Sequence, residues 1–138
     1  MRSIPLLLLA LVPSAAARAE VSCPNPLSVE QHATVPSNEW QVSYADRASR
    51  LIGITVYDGL PASGREVRPA SRSARGGALT VKWMLHQSTR GYSLLCSYEY
   101  TTARLYIELP PGVHYCEVAY DLRVPAAGGN AVKRMYCQ

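Results

Sequence analysis

Four cysteines, at positions 23, 96, 116 and 137, constrain this chain more than any other feature. All four lie after a leader-like start, and an even cysteine count in a short exported chain points to a disulfide framework. One pair can be placed from hairpin geometry. The midpoint of Cys116 and Cys137 is 126.5, inside the turn-forming run "PAAGGN" of Pro125–Asn130. Residues of an antiparallel hairpin oppose one another symmetrically about the turn. Opposed Cα atoms are about 4.5–5.5 Å apart, within the about 4.4–6.8 Å that a disulfide spans. The spacing therefore predicts Cys116–Cys137, and elimination leaves Cys23–Cys96. The second bridge would tie an otherwise loose N-terminal segment to the strand "LLCSYEY".

The start of the chain, "MRSIPLLLLALVPSAAARAE", has the form of a signal peptide. Arg2 supplies the positive end, Ile4 to Val12 the apolar run, Pro13 and Ser14 its break, and Ala17-Arg18-Ala19 a small-x-small cleavage site. The apolar run is shorter than the about 20 residues that span a bilayer, so no membrane span is expected. Cleavage after Ala19 would leave residues 20–138, a single β domain of 119 residues (138 − 19). A lipid anchor on Cys23 is disfavoured by Glu20, which stands where an aliphatic residue is needed. Removing Arg2 and Arg18 lowers the formal charge from +4 to +2, with 12 basic against 10 acidic residues. So mild an imbalance is not the footprint of a nucleic-acid binder.

Period-2 alternation runs through the rest. Leu27, Val29 and Gln31 suggest a short edge strand among prolines. In "RLIGITVYDGLP", Ile52, Ile54 and Val56 share a face, and Asp58-Gly59 before Pro61 signals a turn. Residues 62–77, "ASGREVRPASRSARGG", lack an apolar period and read as a long exposed loop with room for a short strand near Val67. Alternation returns in "ALTVKWMLHQ", "GYSLLCSYEY", "ARLYIELP", "HYCEVAYDLRV" and "AVKRMYCQ", while no segment keeps a helical period. The expected fold is mainly β: a small antiparallel β-sandwich or open barrel of about six to eight strands, disulfide-stapled.

Chemistry-bearing constellations are sparse. His114 and Cys116 share a strand face, so a thiol–imidazole pair is conceivable if Cys116 is free. Glu99 and Glu108 could approach across the Thr101-Thr102 turn, although Arg104 is near enough to pair with either. No C-x-x-C or H-x-x-x-H spacing suggests a metal, no phosphate loop or nucleophile motif is present, and no cofactor is implied. Nine tyrosines with no Phe are read first as the aromatic core, with Tyr92, Tyr98 and Tyr100 on the inward face of Cys96. His86 falls on the polar face of its strand. The candidates for binding are Arg65, Arg68, Arg72 and Arg75 in the 62–77 segment, suited to phosphate, lipid or an acidic protein, and Trp40 in "PSNEWQ".

The ordered motifs Cys23-Pro24, Asp58-Gly59-Leu60-Pro61, Cys96-Ser97-Tyr98, Cys116 and Cys137 resemble a family of short, uncharacterised secreted proteins of proteobacteria. The resemblance implies an envelope or secreted location and carries no functional residues across; the arginine-rich segment matches no pattern of that family. The leading functional reading is a non-catalytic binding or accessory protein of the bacterial envelope, with a macromolecular partner. One version is a protective inhibitor of a cell-wall hydrolase. The rivals are a small hydrolase using His114 with Cys116 or a carboxylate pair, and a ligand carrier whose barrel mouth is lined by tyrosines.

Overall fold

The computed structural model describes residues 20–39, 41–43 and 47–138. Residues 1–19, where a signal peptide is expected, and Trp40 lie outside them. Eight strands follow in order: β1 (Leu51–Asp58), β2 (Arg65–Glu66), β3 (Ser71–Arg75), β4 (Ala78–Met84), β5 (Tyr92–Tyr98), β6 (Arg104–Glu108), β7 (Tyr115–Ala126) and β8 (Gly129–Cys137). They form two open four-stranded antiparallel sheets, ordered β2-β1-β5-β6 and β3-β4-β7-β8.

Alternation in the sequence becomes the core. Ile54, Val56, Leu94, Cys96 and Tyr98 from one sheet meet Val81, Trp83, Cys116, Val118, Val132, Met135 and Cys137 from the other, all buried. This apolar burial is the main stabilising term. The two bridges are Cys23–Cys96 and Cys116–Cys137, as expected. Cys116 stands opposite Cys137 even though two irregularities interrupt the β7–β8 register.

Local expectations needed correction in four places. The start of β1 is bulged between Leu51 and Gly53. The extra residue reverses the alternation there, so Leu51 is buried while Ile52 turns aside towards Gly128 at the tip of the β7–β8 hairpin. Leu27 to Gln31 form no strand; Leu27 makes only an isolated bridge with Ser49. Tyr100 adopts a left-handed φ of 59°, which rotates its side chain off the inward face and leaves it exposed. Finally, the 62–77 segment is less of a loop than expected: besides the short strand anticipated near Val67, which is β2, it contains β3. Gly59 (φ 95°) takes the sharp turn after β1 that a side chain would strain, as "YDGLP" suggested.

The stretch between β2 and β3 crosses from one sheet to the other and is fixed at its middle. Val67 donates its N–H to Val56 O (2.8 Å), and its carbonyl accepts Trp83 Nε1–H (3.0 Å). Ala70 N–H then reaches Lys82 O (2.8 Å), launching β3. A buried indole therefore pins a polar segment that has no apolar period of its own.

Candidate functional site

Both catalytic rivals fail on geometry. Cys116 is fully buried and oxidised, and no cysteine among the described residues is free, so His114 has no thiol to activate. Glu108 stands opposite Ser93, whereas Glu99 follows the other end of β5. Six residues of strand put the two carboxylates about 20 Å apart, too far for a glycosidase pair at about 5–9.5 Å. Glu99 pairs with Arg50 rather than Arg104: Arg50 Nε and Nη2 donate to its two oxygens at 2.5 and 3.2 Å, and Ala127 N–H adds a third bond at 3.2 Å. The hydrogen bond from Arg50 leads in holding the Glu99 carboxyl below its ordinary range, against the opposing effect of burial. Glu99 is thus a buried structural anion joining β5 to the hairpin tip.

Ser88 Oγ–H donates to Asp58 Oδ1 (2.5 Å) and accepts from Arg90 N–H (3.0 Å). This braces two turns. A cleft of about 720 Å³ opens beside it between residues 85–91 and 109–114. Its floor is apolar (Leu85, Tyr92, Leu109, Val113) and its rim carries His86 and His114, with no carboxylate in the lining. His86 is exposed, as expected from its strand face. Among the described residues, the tyrosines line no shared barrel mouth. Tyr98 is buried with its hydroxyl donated to Pro24 O (2.9 Å), Tyr92 borders the cleft, and Tyr100 and Tyr106 are exposed.

The arginines remain. Arg65 lies on β2 opposite Asp58, Arg72 and Arg75 lie on β3 opposite Val81 and Ala78, and Arg68 lies between the two strands. All four are exposed, and none takes part in an ion pair among the described residues. Odd spacing places Arg72 and Arg75 on opposite faces of β3, so the guanidiniums form a fringe around the sheet edges rather than a flat patch. Their backbone is held by the β1–β2 and β3–β4 ladders and, between them, by the Val67–Trp83 contact. Arginine in such a setting suits carboxylate recognition through its planar donor fork.

Two surfaces were not anticipated. On the outer face of the second sheet, Tyr115 and Tyr136 make an edge-on ring contact with centroids 6.0 Å apart. Lys82 Nζ lies 4.1 Å from the Tyr115 ring, and Glu117 accepts from Arg134 and the Tyr136 hydroxyl. On β6, Leu105, Tyr106 and Ile107 are exposed in succession. The signal for the second was present in the sequence, as an apolar triplet between Arg104 and Glu108.

The family model described as Type VI secretion system Tli immunity protein matches residues 44–138. The chain belongs to this family. The matched span includes all eight strands and three of the four cysteines, leaving Cys23 outside it. No curated protein and no solved structure matches the chain. Membership in the Tli family replaces the expectation of a family without an activity: immunity proteins are partner-binding proteins, which agrees with the non-catalytic reading. The disulfides fit an oxidising compartment.

Proposed function

We propose that this protein is a periplasmic immunity protein that binds an effector of a type VI secretion system and keeps it inactive. It would reach the periplasm through the signal peptide of residues 1–19, with cleavage after Ala19, and act as a single β domain. Arg65, Arg68, Arg72 and Arg75 would engage an acidic surface of the effector. The observation that carries this reading is the rigid, exposed and unpaired arginine fringe on a member of the Tli immunity family. Trp40 is a further candidate contact. Protection by inhibition of the target agrees with the sequence reading of a protective inhibitor.

The test uses the effector that kills cells lacking this protein. Changing all four arginines to Ser should weaken effector binding by about 100-fold or more, since interface arginines are frequent hot spots, and should abolish protection. Rising salt should weaken the parent complex more than the variant complex. Unchanged affinity would remove the fringe from the interface. Loss of protection on deleting residues 2–19, with binding in vitro intact, would support the proposed compartment.

A further inference from the structure

Strand β6 is the outermost strand of its sheet and, among the described residues, pairs only with β5. Leu109 N–H donates to Tyr92 O (2.8 Å), which fixes the phase of the β5–β6 ladder. Antiparallel pairs alternate between hydrogen-bonded and open, so Leu94 with Ile107 and Cys96 with Leu105 are the bonded pairs. The N–H and C=O groups of Arg104, Tyr106 and Glu108 then point away from β5 to the free edge. No backbone bond among the described residues takes them up.

The side chains on this edge are as unpartnered as its backbone. Leu105 and Ile107 share the inward face with Leu94 and Cys96, yet are 37% and 48% exposed, because the opposite sheet does not extend over β6. Tyr106, on the other face, is 57% exposed. Arg104 and Glu108 belong to no ion pair among the described residues. They flank Tyr106 at equal distance with opposite charge.

That symmetry selects the occupant. We infer that β6 pairs antiparallel with β6 of a second copy of this chain, about a two-fold axis through Tyr106. In this register Arg104 faces the partner's Glu108, and Glu108 the partner's Arg104. Leu105 faces the partner's Ile107, and the outward amides of Arg104, Tyr106 and Glu108 all find acceptors. A self-complementary patch of this kind is what an isologous dimer requires. Opposite charges directly across a ladder stabilise it, and like charges there oppose it. Edges are ordinarily blunted by charged side chains, Pro or bulges; here the two edge charges are of opposite sign and placed to complement each other across a two-fold axis. The two sheets would join as β2-β1-β5-β6-β6-β5-β1-β2. A five-residue contact gives a small interface, so association should fall in the micromolar range or weaker, as expected below about 1,200 Å².

Sedimentation equilibrium of the oxidised chain from Glu20, at about 10 µM to 1 mM, tests the inference without any effector, so its failure leaves the proposed function standing. The parent should show a reversible monomer–dimer equilibrium. Arg104→Glu and Glu108→Arg, each placing like charges opposite, should raise the dimer dissociation constant at least about tenfold, the order expected for cross-strand charge reversal. The double variant R104E/E108R should restore it. Unchanged melting temperature will show that these exposed substitutions leave the fold intact. A parent that stays monomeric throughout would overturn the inference. So would dimers indifferent to the single charge reversals, or single variants that the double reversal does not rescue. A monomeric parent whose effector binding falls in both single variants would assign the edge to the effector instead, and would equally overturn self-pairing.

Discussion

Replacing Cys23 and Cys96 together by Ala opens a loop closed over a separation of 73 residues, whereas replacing Cys116 and Cys137 opens one of 21. In the chain-entropy treatment the first bridge restrains the unfolded chain by about 4.4 kcal/mol and the second by about 3.3 kcal/mol at 25 °C. The loops do not overlap, so the effects should add to about 7.7 kcal/mol. A chain of 119 residues from Glu20 has a total stability of roughly 6–18 kcal/mol at 0.05–0.15 kcal/mol per residue. Either double variant should therefore fold, and the fourfold variant, left with about −2 to 10 kcal/mol, should be the least stable of the three and unfolded if the parent lies at the low end of the range. Urea titration reads this directly. With a slope of about 1.5 kcal/mol/M, the midpoint should fall by about 3 M for C23A/C96A and about 2 M for C116A/C137A. The order of the two is the decisive part. Before β1, the chain is held by isolated bridges (Val21 with Cys137, Leu27 with Ser49) and by scattered bonds such as Tyr98 to Pro24 and Leu51 to Asn25. Should that segment peel away locally once uncoupled, C23A/C96A would cost less than C116A/C137A. That result would refute loop closure as the source of the stabilisation.

Three further outcomes follow from single contacts. The Glu99 carboxyl has its folded pKa depressed by Arg50, so its contribution is present above the unfolded carboxylate value of about 4.3 and is lost as pH falls through the lower folded value; melting temperature should drop in that acid window, and Glu99→Gln should flatten the drop. Trp83→Phe leaves Val67 O without its indole donor in a half-buried setting and should cost about 1–3 kcal/mol by denaturant titration, while loosening the arginine fringe to faster amide exchange. Gly64→Ala would bring a Cβ to 2.6 Å from both Asp58 O and Leu60 O, and this backbone overpacking should cost about 1–3 kcal/mol.

Strand-period alternation made most of the sheets legible, because half-buried strands must place apolar residues on every second position. Leu79, Val81, Trp83 and Leu85 show this, and so does the Cys116–Cys137 pairing read from the turn. What escaped was set by tertiary contact. Ser71–Arg75 has no apolar face because β3 is an exposed edge that gains its order from β4 and from the pinned Val67. Ile52 and Tyr100 left their expected faces through a bulge and a left-handed φ, neither of which alternation encodes. Glu99 found Arg50 across 49 residues rather than its nearer neighbour Arg104. Of the candidate site, the four arginines were legible as residue types, but their rigidity and their position at the edges of two sheets were not.

The pairing order of the cysteines has a consequence for biogenesis. Cys23 joins Cys96 and Cys116 joins Cys137, so each bridge links cysteines that are consecutive in the chain. A chain delivered amino-terminus first into an oxidising compartment presents Cys23 and Cys96 together before either later thiol arrives. An oxidant that couples thiols in order of appearance then makes only native bridges, with no mixed pairing to be exchanged later through thiolate attack. Maturation should accordingly depend on a disulfide oxidase and be indifferent to a disulfide isomerase.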